Sequence, residues 1–270
     1  MPKFAANLSM MFNEVPFLDR FAAAREAGFQ AVEYLFPYDY EPEVVAQKLR
    51  ENHLENVLFN MPPGNWSAGE RGITSLPGRE EEFRAGVDKA LIYAAALGVT
   101  RLHAMAGIPG AGAVPAACRA TLIENLKYAA GKLAQHHIML LLEAINSRDM
   151  PGFFVNTQAE SYEICAAVNA PNLKMQLDLY HMQVMEGDLA TKLRRYAPQC
   201  GHVQIAGCPE RHEPDTGEIR YEYLYALLDE IGYHGWIGCE YRPAGNTLDG
   251  LGWFRPFAAP VGTDRFGTDR

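Results

Sequence analysis

No run of this 270-residue chain approaches the roughly 20 consecutive apolar residues of a membrane-spanning helix, so no membrane span is expected. Positive charge is in short supply. The chain has 24 Lys and Arg against 33 Asp and Glu, a net charge of −9, with no basic stripe. Nucleic-acid binders neutralise phosphates with such stripes, so a nucleic-acid partner is not expected. Cysteine is sparse: Cys118, Cys165, Cys200, Cys208 and Cys239 make an odd count with no CxxC. That argues for reduced thiols in a cytoplasmic protein and against a disulfide framework. The first residues lack the apolar core and cleavage site of an export signal. No GxxxxGK[ST] loop occurs and no GxGxxG follows the first strand, so no nucleotide cofactor is expected. HExxH is missing as well.

What is present is ordinary globular composition, 48% apolar and 21% charged, arranged in a repeating rhythm. Short β-rich runs alternate with longer runs of helical period. Strands are predicted at 4–8, 31–36, 54–60, 101–105, 138–143, 173–178, 202–205 and 236–240. Helices are predicted at 16–27, 42–52, 79–97, 115–135, 158–168, 188–196 and 221–231, with Asp188 as an N-cap and a weak eighth helix at 248–257. The run Ile138-Met-Leu-Leu-Leu-Glu143 is nearly all apolar, as in a parallel strand covered on both faces. Eight strand–helix alternations without a low-complexity linker predict a single (β/α)8 TIM barrel over residues 1–258. Residues 259–270, which hold Gly-Thr-Asp-Arg twice and no apolar face, are expected to form a disordered tail. Two long loops, 62–77 and 107–114, follow strands three and four on the face where barrel enzymes keep their sites.

The last four strands end on polar residues: Glu143, Asp178, Gln204 and Glu240. In a barrel these strands stand side by side and their C-terminal ends converge. Three carboxylates and an amide oxygen would then share a small volume, where like charges repel unless a cation sits among them. Oxygen ligands suit Mg2+, Mn2+ or Ca2+ better than Zn2+. His181, three residues after Asp178, is a candidate fifth ligand or hydrogen-bond donor to a substrate oxygen. His103 on strand four is a candidate substrate contact or a buried packing residue, and His202 shares a strand face with Gln204. Glu33 reads as an ion-pair partner in the barrel interior. Arg71 in the strand-three loop, Arg211 after strand seven and Arg242 two residues past Glu240 are candidates to grip a small anionic substrate, since an Arg fork binds a carboxylate with two parallel bonds.

Several longer motifs resemble the hydroxypyruvate isomerase family. They are Ala5-Asn-Leu-Ser-Met-Met-Phe, Phe36-Pro-Tyr-Asp-Tyr, Ala68-Gly-Glu-Arg-Gly and Pro77-Gly-Arg-Glu-Glu-Glu-Phe in the first half. Tyr180-His-Met-Gln, His212-Glu-Pro-Asp-Thr-Gly-Glu-Ile and Gly235-Trp-Ile-Gly-Cys-Glu-Tyr follow in the second. The likeness spans about residues 4–257 and implies a xylose-isomerase-like barrel. It implies catalytic glutamates at Glu143 and Glu240, and a divalent metal, Mg2+ or Mn2+, held by Glu143, Asp178, Gln204 and Glu240. The implied reaction interconverts hydroxypyruvate and tartronate semialdehyde. 2-Oxo-tetronate isomerases share most of these motifs, including Val203-Gln-Ile-Ala-Gly, so a four-carbon acid or a sugar epimerisation on the same machinery stays open. So does a non-catalytic acid-binding barrel, against which both glutamates speak. One departure is Arg242, where the family often carries Lys. The chain is expected to act alone or as a homo-oligomer.

Overall fold

In a computed structural model, which describes residues 2–259, eight parallel strands close on themselves in chain order. They are β1 Lys3–Asn7, β2 Ala31–Tyr34, β3 Glu55–Asn60, β4 Arg101–His103, β5 Met139–Glu143, β6 Leu173–Asp178, β7 Cys200–Ile205 and β8 Trp236–Cys239. Each helix lies between two of them: α1 Arg20–Glu26, α2 Pro42–Glu51, α3 Glu80–Leu97, α4 Pro115–Ala134 and α5 Gln158–Val168 in the first five crossovers. α6 Leu179–Met185 and α7 Leu189–Tyr196 share the sixth, and α8 Tyr221–Glu230 fills the seventh. This is the (β/α)8 barrel the alternation predicts. Local chemistry sets the helix ends. Pro42 and Pro115 open α2 and α4 where no backbone donor is needed. Thr157 and Glu160 form a reciprocal capping box on α5.

Several boundaries differ from the sequence reading. The first helix is shorter, because a 3-10 turn over Phe17–Asp19 precedes α1. Asp188 starts α7 with φ 50° and no side-chain cap bond, so it turns the chain and does not cap it. The unforeseen α6 begins directly after β6, with Asp178 as its cap. In place of an eighth barrel helix there is a 3-10 turn, Leu251–Trp253. Packing makes up for its shortness: Phe4 meets Trp253, Phe254 and Phe257 edge-on, and Phe254 stacks on Phe29 at 4.0 Å. β8 ends at Cys239, so Glu240 stands just past it and Arg242 does not continue the strand. The five cysteines are free. Among the described residues no helix is long and apolar enough to cross a membrane. The tail expected at 259–270 lies outside the described residues from 260 onward.

The long loop after β3 is sewn to the loop after β4. Gly72 pairs with Ala106, Thr74 Oγ1 donates to the Met105 carbonyl at 2.7 Å, and Ser75 N donates to the Ala106 carbonyl at 2.8 Å. The approach is so close that a Cβ on Gly72 would overlap the Met105 backbone. This holds Trp66, carried by the same loop, at the C-terminal mouth of the barrel.

Candidate active site

Register brings the strand ends together. Asp178 pairs with Gln204 across β6 and β7, and Glu143 with Gln176 across β5 and β6. Glu143, Asp178, His181 and Glu240 each offer one ligand atom, all within 4.8 Å of one another and all buried. Asp178 is fixed by the start of α6. Its Oδ1 accepts from Tyr180 N at 2.7 Å and His181 N at 3.1 Å. Its Oδ2 and the Oε1 of Glu143 have no hydrogen-bond partner. Arg211 places Nη2 2.7 Å from Glu240 Oε2 and 3.8 Å from Asp178 Oδ2.

Burial lifts all three carboxyls above their usual range. For Glu143 burial is reinforced by the charges of Glu240 and Asp178, and the carboxyl titrates well above normal. For Asp178 and Glu240 the Arg211 charge opposes burial without cancelling it, and Glu240 is pushed up to about 8. One guanidinium against three carboxylates leaves the group short of positive charge. Two unpartnered carboxylate oxygens, a third carboxylate within reach and hard oxygen donors fit a divalent cation. Gln204 stands at the side of this group. Its oxygen accepts from Gln176 Nε2 and keeps a second lone pair.

His181 has a definite orientation. Its Nδ1 faces the side-chain amide of Asn146 at 2.6 Å and the Asn146 backbone N–H at 3.4 Å. Asn146 Oδ1 already accepts from Asp149 N at 2.7 Å, which turns the amide nitrogen toward the ring. Two donors thus converge on Nδ1, while Nε2 lies 3.8 Å from Glu143 and Asp178 and 3.4 Å from Arg211 Nη2. Burial and the Arg211 charge keep the ring neutral. His181 thus turns Nε2 toward the carboxylates and Arg211. His103 Nδ1 lies 3.7 Å from Glu143 Oε2, and burial drops its pKa to about 3.

A cavity of about 200 Å³ opens over this group. His103, Glu143, His181, Arg211, Glu240 and Arg242 all line it, and Trp66 and Met150 lie on its wall. Arg71 is not on that wall. Its Nη1 donates to the carbonyls of Trp66 at 3.1 Å and Glu70 at 2.8 Å, and its guanidinium stacks on the Trp66 indole at 4.0 Å. Asn146 and Asp149 were not foreseen, and Tyr180 entered only as part of a motif. Tyr180 OH donates to Asp149 Oδ2 at 2.9 Å, and Arg211 Nη1 lies 3.5 Å from the same oxygen. One cue was available: Asn146 follows Glu143 by three, as His181 follows Asp178.

Fold and site define a barrel enzyme with a buried, metal-competent carboxylate mouth. Residues 21–257 match the model of the xylose isomerase-like TIM barrels. The chain is 54% identical to a 2-oxo-tetronate isomerase of Cupriavidus necator, over 95% of this chain and 99% of that protein. It is 48% identical to a hydroxypyruvate isomerase of Escherichia coli, over 95% of this chain and all of that protein. A crystal structure described as AP endonuclease, family 2, from Brucella melitensis superposes with a TM-score of 0.94. Its sequence is 55% identical, over 96% of this chain and all of that one. The chain belongs to the xylose isomerase-like TIM barrel family, and it is an isomerase.

Proposed function

We propose that the enzyme interconverts hydroxypyruvate and tartronate semialdehyde by moving a proton between C2 and C3 through an enediolate. The observation that carries this is the pair Glu143 and Glu240, both buried and both lining a small cavity, with their carboxyls raised above the usual range. A base of raised pKa removes a carbon-bound proton more readily, and its conjugate acid then returns one. One glutamate takes the C3 proton of hydroxypyruvate and the other delivers a proton to C2. The hydroxyl proton passes between the two oxygens. His181 and the Arg211 guanidinium, 3.4 Å apart, line the cavity where the oxyanion develops. A Mg2+ or Mn2+ ion held by Glu143, Asp178, Gln204 and Glu240 would act there as a Lewis acid on the carbonyl and hydroxyl oxygens.

The substrate carboxylate needs a cation that the carboxylates do not already occupy. Arg211 is committed to Glu240, Asp178 and Asp149, and Arg71 is committed behind Trp66. Arg242 is exposed and lines the cavity, and its backbone N donates to the Arg211 carbonyl at 2.8 Å. We assign it the acid end. A second reading, a four-carbon 2-oxo-tetronate, is favoured by the name of the 54% identical relative. A DNA substrate is disfavoured by the −9 charge. Turnover of hydroxypyruvate beside 2-oxo-tetronate with Mg2+ or Mn2+ tests the reading. Conversion of the four-carbon acid alone would replace the first substrate by the second, and conversion of neither would overturn both.

A further inference from the structure

Beneath the mouth lies a carboxylate that takes no part in the proton transfer. Glu33 on β2 is 1% exposed and sits inside the barrel. Its Oε1 accepts from Asn7 Nδ2 on β1 at 3.0 Å and from Gln204 Nε2 on β7 at 2.7 Å. Its Oε2 lies 2.7 Å from His202 Nε2, also on β7. β2 and β7 are not neighbours, since β1 and β8 stand between them. The side chain crosses that gap over Gly238 of β8. A Cβ at 238 would overlap the Glu33 carboxylate, so the missing side chain is what leaves the passage open.

The crossing settles which way Gln204 faces. A carboxylate only accepts, so the end of the Gln204 amide against Glu33 is its nitrogen. The oxygen is turned to the other side, toward Gln176, which lines the cavity with Glu143. Without such an anchor the two ends of a glutamine amide are nearly equal in size, and the group can turn over. An amide reversed in this way would present N–H hydrogens to a cation.

We infer that Glu33 is a positioning residue that presents the Gln204 oxygen to the divalent-cation site, with His202 holding Glu33 in place. This rests on the reading of Gln204 as a ligand. Outer partners of this kind, when removed, cost about 10- to 100-fold in metal affinity.

The test is calorimetric titration of Mn2+ into metal-free protein. Glu33→Gln is expected to weaken Mn2+ binding about 10- to 100-fold. Gly238→Ala, which pushes Glu33 out of its crossing, is expected to reproduce that loss without removing a charge. The deciding comparison repeats both changes in a Gln204→Glu background. A carboxylate at 204 has oxygen at both ends and needs no orienting, so there the loss should vanish or reverse. Equal weakening in both backgrounds would mean that Glu33 acts through its charge or through general packing, and would overturn the inference. Unchanged affinity in Glu33→Gln would overturn it as well. Wild-type protein that takes up no Mn2+ would overturn the cation reading itself, a result distinct from either.

Discussion

The two halves of the barrel mouth are built from different chemistry. Every residue of the cavity wall that comes from β1–β4 and their loops is uncharged: Ser9, Met10, Leu35, Asn60, Trp66, His103 and Met105, with His103 neutral. All charges come from the half formed by β5–β8, in Glu143, Arg211, Glu240 and Arg242. The first half is hydrogen-bonded or apolar and shapes the space. The second holds carboxyls that burial has driven from their ordinary range. Arrangements of that sort destabilise the fold, so they are expected where chemistry is done. The division assigns reaction to one half and shape to the other, and it can be broken by substitution.

The largest effects belong to the charged half. Glu143→Gln and Glu240→Gln should each lower kcat at least about a hundredfold, the low end of what a positioned acid or base contributes. Circular dichroism should show the fold retained. Near-normal turnover in either variant would reduce that residue to a ligand. Trp66→Leu on the other side should chiefly raise KM, and a hundredfold loss of kcat there would erase the distinction between halves.

Within the charged half, Arg242 should affect binding and not chemistry. A charge-assisted bond is worth about 1.5–3 kcal/mol, or about 10- to 160-fold. Arg242→Ala should raise KM for the acid by about that factor with kcat little changed. An uncharged analogue such as glyceraldehyde, where turned over, should be unaffected by the change.

The same half should dictate how stability follows pH. Glu240 is pushed up to about 8 in the folded protein, above its usual value of 4.5, mainly by burial and against the pull of Arg211. Its contribution to stability is full below about 4.5 and is lost as pH rises through about 8. His103 and His181 are shifted downward, so their contributions change only near and below the ordinary histidine pKa of about 6.5. Between pH 6.5 and 8 the carboxyls therefore dominate. A bound cation replaces the proton, so loaded enzyme escapes the loss. The gap in melting temperature between Mn2+-loaded and chelator-treated protein should widen across that window. One displaced proton corresponds to about 2 kcal/mol over 1.5 pH units, and calorimetric melting in matched buffers measures it. A gap that stays constant would show that no raised carboxyl takes part in binding.

These contrasts also mark what was legible in the sequence. The barrel was readable because its strands are short apolar runs and its helices keep their period. Glu143, Asp178 and Glu240 were readable because each breaks an apolar run at the same relative position. The unforeseen parts depend on side-chain direction, which no spacing encodes. Asp178 spends one oxygen on α6 and leaves the other open. The His181 ring is oriented by Asn146, which lies 35 residues away. Arg71 read as a candidate grip for the substrate because its loop follows a barrel strand, yet its guanidinium is turned onto Trp66 and it does not line the cavity.

That placement supplies the smallest prediction and the finest test of the two halves. Arg71 belongs to the shaping half and acts through Trp66, whose carbonyl and indole face it engages. A cation–π contact at a partly exposed site is worth about 0.5–1 kcal/mol, which limits its loss to about two- to fivefold. Arg71→Ala should therefore raise KM by no more than that, and equally for the acid and for glyceraldehyde, because it loosens a wall that both must touch. Arg71→Lys should behave almost like Ala, since an ammonium cannot make the flat stack on the indole. The comparison with Arg242→Ala is what decides. Selectivity for the acid in the Arg242 variant and none in the Arg71 variant would place the carboxylate reader in the charged half. A selective loss of the acid in Arg71→Ala would show that the strand-three loop turns its cation inward when substrate binds, and the division of the mouth would then describe only the unliganded enzyme.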